Sequence, residues 1–222
     1  MLRTLIGTAG AIVVLLAVPI ASAHDEDNGP EIQKSYDYTG FDRIHIEGVY
    51  SVDVRVGPEF SIETSGTVKR MDLAKVTKSG DVLILGMKDS KRGKKWNGHD
   101  NGINAVITLP ALTEISLQGV GSVEARGIDA KTFDVSLEGV GSIELSGDCE
   151  RLKASVEGVG SLEADTLKCN DIDVSVEGMG SAEVYASHSV DANIKGMGSI
   201  DVDGDPEEVR KSKSFLSSIS IH

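Results

Sequence analysis

The sequence predicts an all-β, single-domain parallel β-solenoid with short coils, on the order of 20 residues each. Three observations carry that expectation. First, five segments recur: SLQGVGSVE (116–124), SLEGVGSIE (136–144), SVEGVGSLE (155–163), SVEGMGSAE (175–183) and NIKGMGSID (193–201). Their first glycines, Gly119, Gly139, Gly158, Gly178 and Gly196, follow one another at a nearly even spacing, and such a fixed period marks a stacked array. Second, the pattern inside each segment has period two. Phe133, Val135 and Leu137 alternate with Asp134, Ser136 and Glu138, which is the signature of strands with one buried face. Third, aromatics are only 4% of the chain while 25 residues are Gly, so aliphatic side chains must build the core.

The N-terminus reads as an export signal. Arg3 supplies the positive start, Ile12 to Val18 (IVVLLAV) is a short apolar run, and Ala21-Ser22-Ala23 is a small-x-small cleavage site. The run falls short of the roughly 20 apolar residues a membrane span needs, so cleavage after Ala23 and a secreted or periplasmic location are expected. Loss of residues 1–23 removes one basic residue and no acidic one, moving the formal charge from −13 to −14. That sign argues against nucleic acid and anionic membrane surfaces as partners.

Residues 24–35 read as an acidic linker and 36–222 as the solenoid domain. Ile44–Val54 (IHIEGVYSVDV) is a degenerate copy of the recurrent segment, with Tyr50 at the second glycine position. Phe60–Thr64, Val76–Lys78 and Val82–Met87 follow as strands, with a short helix over Val68–Ala74 and a turn at Ser79-Gly80-Asp81. Asp89–Gly102 is a polar loop, and Ile103–Leu109 is a strand stopped by Pro110. The regular part, 115–204, stacks equivalent residues about 4.8 Å apart. The expected inward columns are Ile115/Val135/Ala154/Val174/Ala192, Leu117/Leu137/Val156/Val176/Ile194 and Val123/Ile143/Leu162/Ala182/Ile200. The residues between the glycines, Val120, Val140, Val159, Met179 and Met197, form a further apolar column. Residues 205–222 read as a C-terminal cap in which Phe215 and Ser217 replace the glycines and Lys211 and Lys213 fall at inward positions.

Four sets of residues are candidates for chemistry. Cys149 and Cys169 stand one period apart in one expected column, so their Cα atoms fall within disulfide range and export permits oxidation; the alternative is a pair of stacked free thiols. Two carboxylate ladders, Glu138/Glu157/Glu177 and Glu124/Glu144/Glu163/Glu183/Asp201, could offer oxygens to a hard cation, but a solvated surface explains them with less. His24 beside Asp25-Glu26-Asp27 could chelate copper at a free N-terminus, against the plainer reading of an acidic tail. The one basic cluster, Lys88, Lys91, Arg92, Lys94 and Lys95 with Trp96, could hold an acidic glycan with Trp96 stacked on a sugar; the alternative is a solvated loop. Lys94, Lys95 and Trp96 are taken as its binding residues. No G-x-S-x-G, HExxH, P-loop or CxxC motif is present and the five histidines are scattered, so neither an enzyme nor a cofactor is expected.

The chain resembles the head GIN domain family of putative auto-transporter adhesins over about residues 36–222. The likeness rests on FDRIHIEGVYSVDVRVGPEFSIE (41–63), VLILGM (82–87), INAVITLPALTEISLQGVGSVE (103–124), the GxGS segments and GMGSIDVDGDPEEVRKS (196–212). It implies a right-handed β-helix, export and an adhesion role. The functional expectation is a non-catalytic binding module for an envelope or extracellular glycan or protein. The alternatives are a self-associating envelope scaffold, with homo-oligomers, and a polysaccharide-active enzyme.

Overall fold

Strand-forming alternation dominates the chain, and the computed structural model is almost wholly β. It describes residues 15–16, 30–88 and 102–222. The elements are β1 (Leu15–Leu16), β2 (Glu31–Ser35), β3 (Arg43–Val56), β4 (Ser61–Thr67), α1 (Val68–Met71), β5 (Ala74–Ser79), β6 (Val82–Met87), β7 (Ile103–Leu109), β8 (Glu114–Asp203), β9 (Glu208–Lys213) and β10 (Ser218–Ile221).

The sheet order corrects the expected architecture. The fold is all-β, but its strands form one curled, half-barrel sheet of mixed direction, not a parallel right-handed β-helix or solenoid. The strands run in the order β1-β2-β4-β7-β3-β6-β5, with β8 paired to β3, β9 and β10. The pairs β1–β2, β2–β4, β4–β7 and β5–β6 are antiparallel, whereas β3–β6, β3–β7, β3–β8, β8–β9 and β8–β10 are parallel. Period-two alternation is the same in both directions, so the sequence pattern could not distinguish them. The reversal at Gly80, with φ 62°, sends β6 back antiparallel along β5.

Two local differences follow the same logic. Glu31–Ser35, within the stretch read as linker, pairs with Glu63–Thr67 as β2. The helix ends at Met71, because Ala74 is already paired with Met87 in β5.

Along β8 the three expected inward columns are buried throughout. The glycines explain how the chain passes from one segment to the next. Gly139 has φ 131°, which a side chain rarely adopts, and a Cβ there or at Gly141 would run into the carbonyl oxygen of Gly119 or Gly121. Successive glycines therefore lie in backbone contact. The column between them does not join the core: Val120, Val140, Val159, Met179 and Met197 are 45–52% exposed. Alternation carried through from Leu117 to Val123 sets the glycines on the inner positions and the intervening residue outside.

At β3 the second glycine is replaced by Tyr50, in register with Gly121. Its ring is buried, and its hydroxyl donates to the Gly86 carbonyl at 2.7 Å. Burial pushes its pKa up to about 12. The aromatic ring thus fills the inside of the segment that has no glycine pair.

Candidate functional site

The outward positions of β8 carry the polar chemistry. Between each pair of buried residues stands a polar one, so the segments present a row of hydroxyls: Ser116, Ser136, Ser155 and Ser175. These serines alternate to the same side as exposed Gln118, Glu138 and Glu157, yet Ser116 is buried and the other three are half-buried. Beside these serines the face is hollowed.

The concavity is a groove of about 480 Å³ lined by Glu114, Asp134, Ser136, Lys153, Ser155, Asp173 and Ser175. The Ser136 hydroxyl donates to the Ser116 oxygen at 2.9 Å. One rim is fixed by β3, whose His45 and Arg43 are in register with Ser116 and Glu114. His45 Nε2 lies 2.7 Å from Glu114 Oε1, and Arg43 reaches the same carboxylate at 3.9 Å while bonding Asp81.

A second depression of about 370 Å³ continues the groove past Arg151, Lys153, Asp171, Asp173 and Ser189. Here Asp171 accepts from Ser189 Oγ at 2.6 Å, faces His188 Nδ1 at 2.8 Å and lies 3.6 Å from Arg151. Those hydrogen bonds, Ser189 first and His188 second, hold the Asp171 carboxyl below its ordinary value. The bond to Asp171 in turn raises the His188 imidazole. The groove thus offers hydroxyls, carboxylates and an ammonium in rows spaced by the strand separation, about 4.8 Å. Such a surface can give and accept many hydrogen bonds.

The expected site residues fall in different places. Lys94, Lys95 and Trp96 lie outside the described residues, as does His24. Cys149 and Cys169 are joined as a disulfide with Cα atoms 4.5 Å apart. In the carboxylate ladders, Glu124 bonds Arg126 and Glu177 accepts from Lys195 at 2.6 Å. Among the described residues no group of three or more His, Cys, Asp or Glu could hold a metal ion. Sequence reasoning missed the serine row, although a serine opens four of the five segments, with Asn193 in the fifth; each serine alone reads as ordinary strand surface.

Comparison with known proteins bears on the fold and the family. A family model described as "Putative auto-transporter adhesin, head GIN domain" matches residues 40–206. A crystal structure of a putative adhesin from Bacteroides fragilis superimposes with a TM-score of 0.70 at 23% identity, covering 86% of this chain and 97% of its own. A putative lipid binding protein from Parabacteroides distasonis does so with a TM-score of 0.50 at 18% identity, covering 89% and 98%. At these identities the likeness concerns the fold. No curated protein matches the chain. No helix among the described residues is long and apolar enough to cross a membrane.

Proposed function

The chain belongs to the head GIN domain family of putative auto-transporter adhesins, and from that premise we propose that it is an exported, non-catalytic binding module whose serine–carboxylate groove takes a polyhydroxylated chain, an envelope or extracellular glycan. The observation that carries this reading is the row of half-buried hydroxyls at Ser136, Ser155 and Ser175 with Asp134, Lys153 and Asp173 beside them. A sugar ring presents hydroxyls that both donate and accept. A row of serines and carboxylates meets both needs, and periodic spacing suits a polymer better than a single small molecule. The net negative charge favours a neutral or basic glycan over an acidic one.

The test is a glycan-array screen followed by calorimetry with wild-type protein and a Ser155→Ala/Asp173→Asn variant. Neutral or amino-sugar polymers should be retained by wild type and weakened at least about tenfold in the variant, as expected when a bound sugar loses two hydrogen-bonding partners. Equal binding by both proteins would remove the groove from the reading. A Lys94→Ala/Lys95→Ala/Trp96→Ala variant run beside them tests the basic segment: loss of an acidic glycan there alone would move the site to that segment.

A further inference from the structure

The exposed column Val120, Val140, Val159, Met179 and Met197 is out of keeping with the polar outer face around it. Five apolar side chains, each about half exposed, follow one another at consecutive segments. Strands β9 and β10 pair with β8 at the same offset, Ala192 with Lys211 and Ile200 with Ile219, and a turn at 214–217 interrupts the pairing. That turn carries Leu216, 66% exposed, beyond the end of the column. From Val120 to Met197 the ridge runs about 19 Å at the usual strand spacing. Contiguous exposed apolar surface with a polar rim marks an interaction site.

The rim has one dominant sign. Glu138 and Glu157 stand two residues before Val140 and Val159, and Glu144 and Glu163 stand four residues after them. All four are exposed. An occupant must therefore bring apolar surface and positive charge together, and another acid-flanked ridge would be repelled. The chain carries such a surface at its own C-terminal end. Phe215 is 99% exposed, and the strand before it holds Arg210, Lys211 and Lys213, all exposed. Lys213 stands two residues before Phe215, as Glu157 stands two before Val159. A C-terminal end laid along the ridge can thus set its phenyl ring on the valines while its ammonium meets the carboxylate row.

We infer that the ridge is a docking surface for a second copy of this chain, entered by that copy's Lys211–Leu216 end. The contact is heterologous: one copy gives its end and the other its ridge, so each molecule keeps one free end and one free ridge, and association continues into open chains unless the rotation closes. It is independent of the groove, which lies on a different row of side chains.

Sedimentation of the purified protein over a concentration series tests this. The weight-average mass should rise with concentration, and added salt should weaken the rise. Phe215→Ser/Leu216→Ser (end variant) and Val140→Asp/Val159→Asp (ridge variant) should each weaken association at least about tenfold, as loss of interface anchors does. All four positions are exposed, and circular dichroism should show each variant folded. Mixed in equal amounts, the two variants should form a dimer that grows no further, since one intact end meets one intact ridge. A monomer at all concentrations, association undiminished in either variant, or no dimer in the mixture would each overturn the proposal. Capture of a different protein by the ridge, with the wild type monomeric, would overturn it as well.

Discussion

Lys211 lies in register with Ala192, which sets an exposed lysine at the end of a column that is otherwise buried. Two residues on, Lys213 does the same over Ile194. Charged side chains at inward positions of an edge strand deter edge-to-edge pairing with other chains. Lys211→Val/Lys213→Ile should therefore aggregate irregularly through β9, seen as thioflavin-positive precipitate on mild heating. Wild type under the same conditions should stay clear of it; equal clarity in both would show that these lysines do not guard the edge.

Tyr50 gives a second prediction. Its hydroxyl is buried and bonded to the Gly86 carbonyl, so Tyr50→Phe should cost about 1–2 kcal/mol in denaturant unfolding. The pH dependence has a definite sign. The tyrosine pKa is 10.0 when unfolded and about 12 when folded, so the neutral ring's contribution is complete below pH 10 and fades as pH rises through 12. The wild type should lose more stability than Tyr50→Phe across that interval. Parallel alkaline curves would contradict the burial of the hydroxyl.

The disulfide gives a third. Linking Cys149 to Cys169 closes a sequence separation of 20, and its loss should cost roughly 3 kcal/mol on the chain-entropy account. A Cys149→Ala/Cys169→Ala variant should melt several degrees lower, and reductant should lower the wild-type midpoint but leave the variant's unchanged.

The Asp171–His188 pair sets a fourth. The imidazole is raised from 6.5 by Asp171, so its contribution is complete below pH 6.5 and is lost as pH rises through its folded value. The carboxyl is lowered from 3.8, so its contribution is complete above pH 3.8 and is lost on acidification. Both groups contribute fully between about pH 4 and 6.5. The melting temperature of His188→Gln should lie furthest below wild type in that window and approach it at alkaline pH. A difference constant with pH would show that the pair's charge is not involved.

The buried columns were legible because alternation reports burial directly: Leu117, Leu137 and Val156 all lie inside. Strand direction was not, since Ile62 in antiparallel β4 and Ile44 in parallel β3 sit in runs of the same pattern. Val120 and its successors were read as an apolar column, and alternation through the glycines sets that column outside. Glu31–Ser35 holds one strongly apolar residue, Ile32, and gains its strand from pairing with β4, which no local signal announces. The groove stayed hidden because no one of Ser136, Ser155 and Ser175 reports by itself the hollow they line together.

The disulfide also bears on how the protein would yield to tension. A pull on the C-terminus peels β10 and β9 first, then works back through β8 towards Cys169. There the sulfur staple to Cys149 withholds the residues between them from stretching, hiding roughly 70 Å of contour length. Force passes across the covalent bridge, and in an oxidising medium the extension of a tethered molecule is shorter by that length than after reduction.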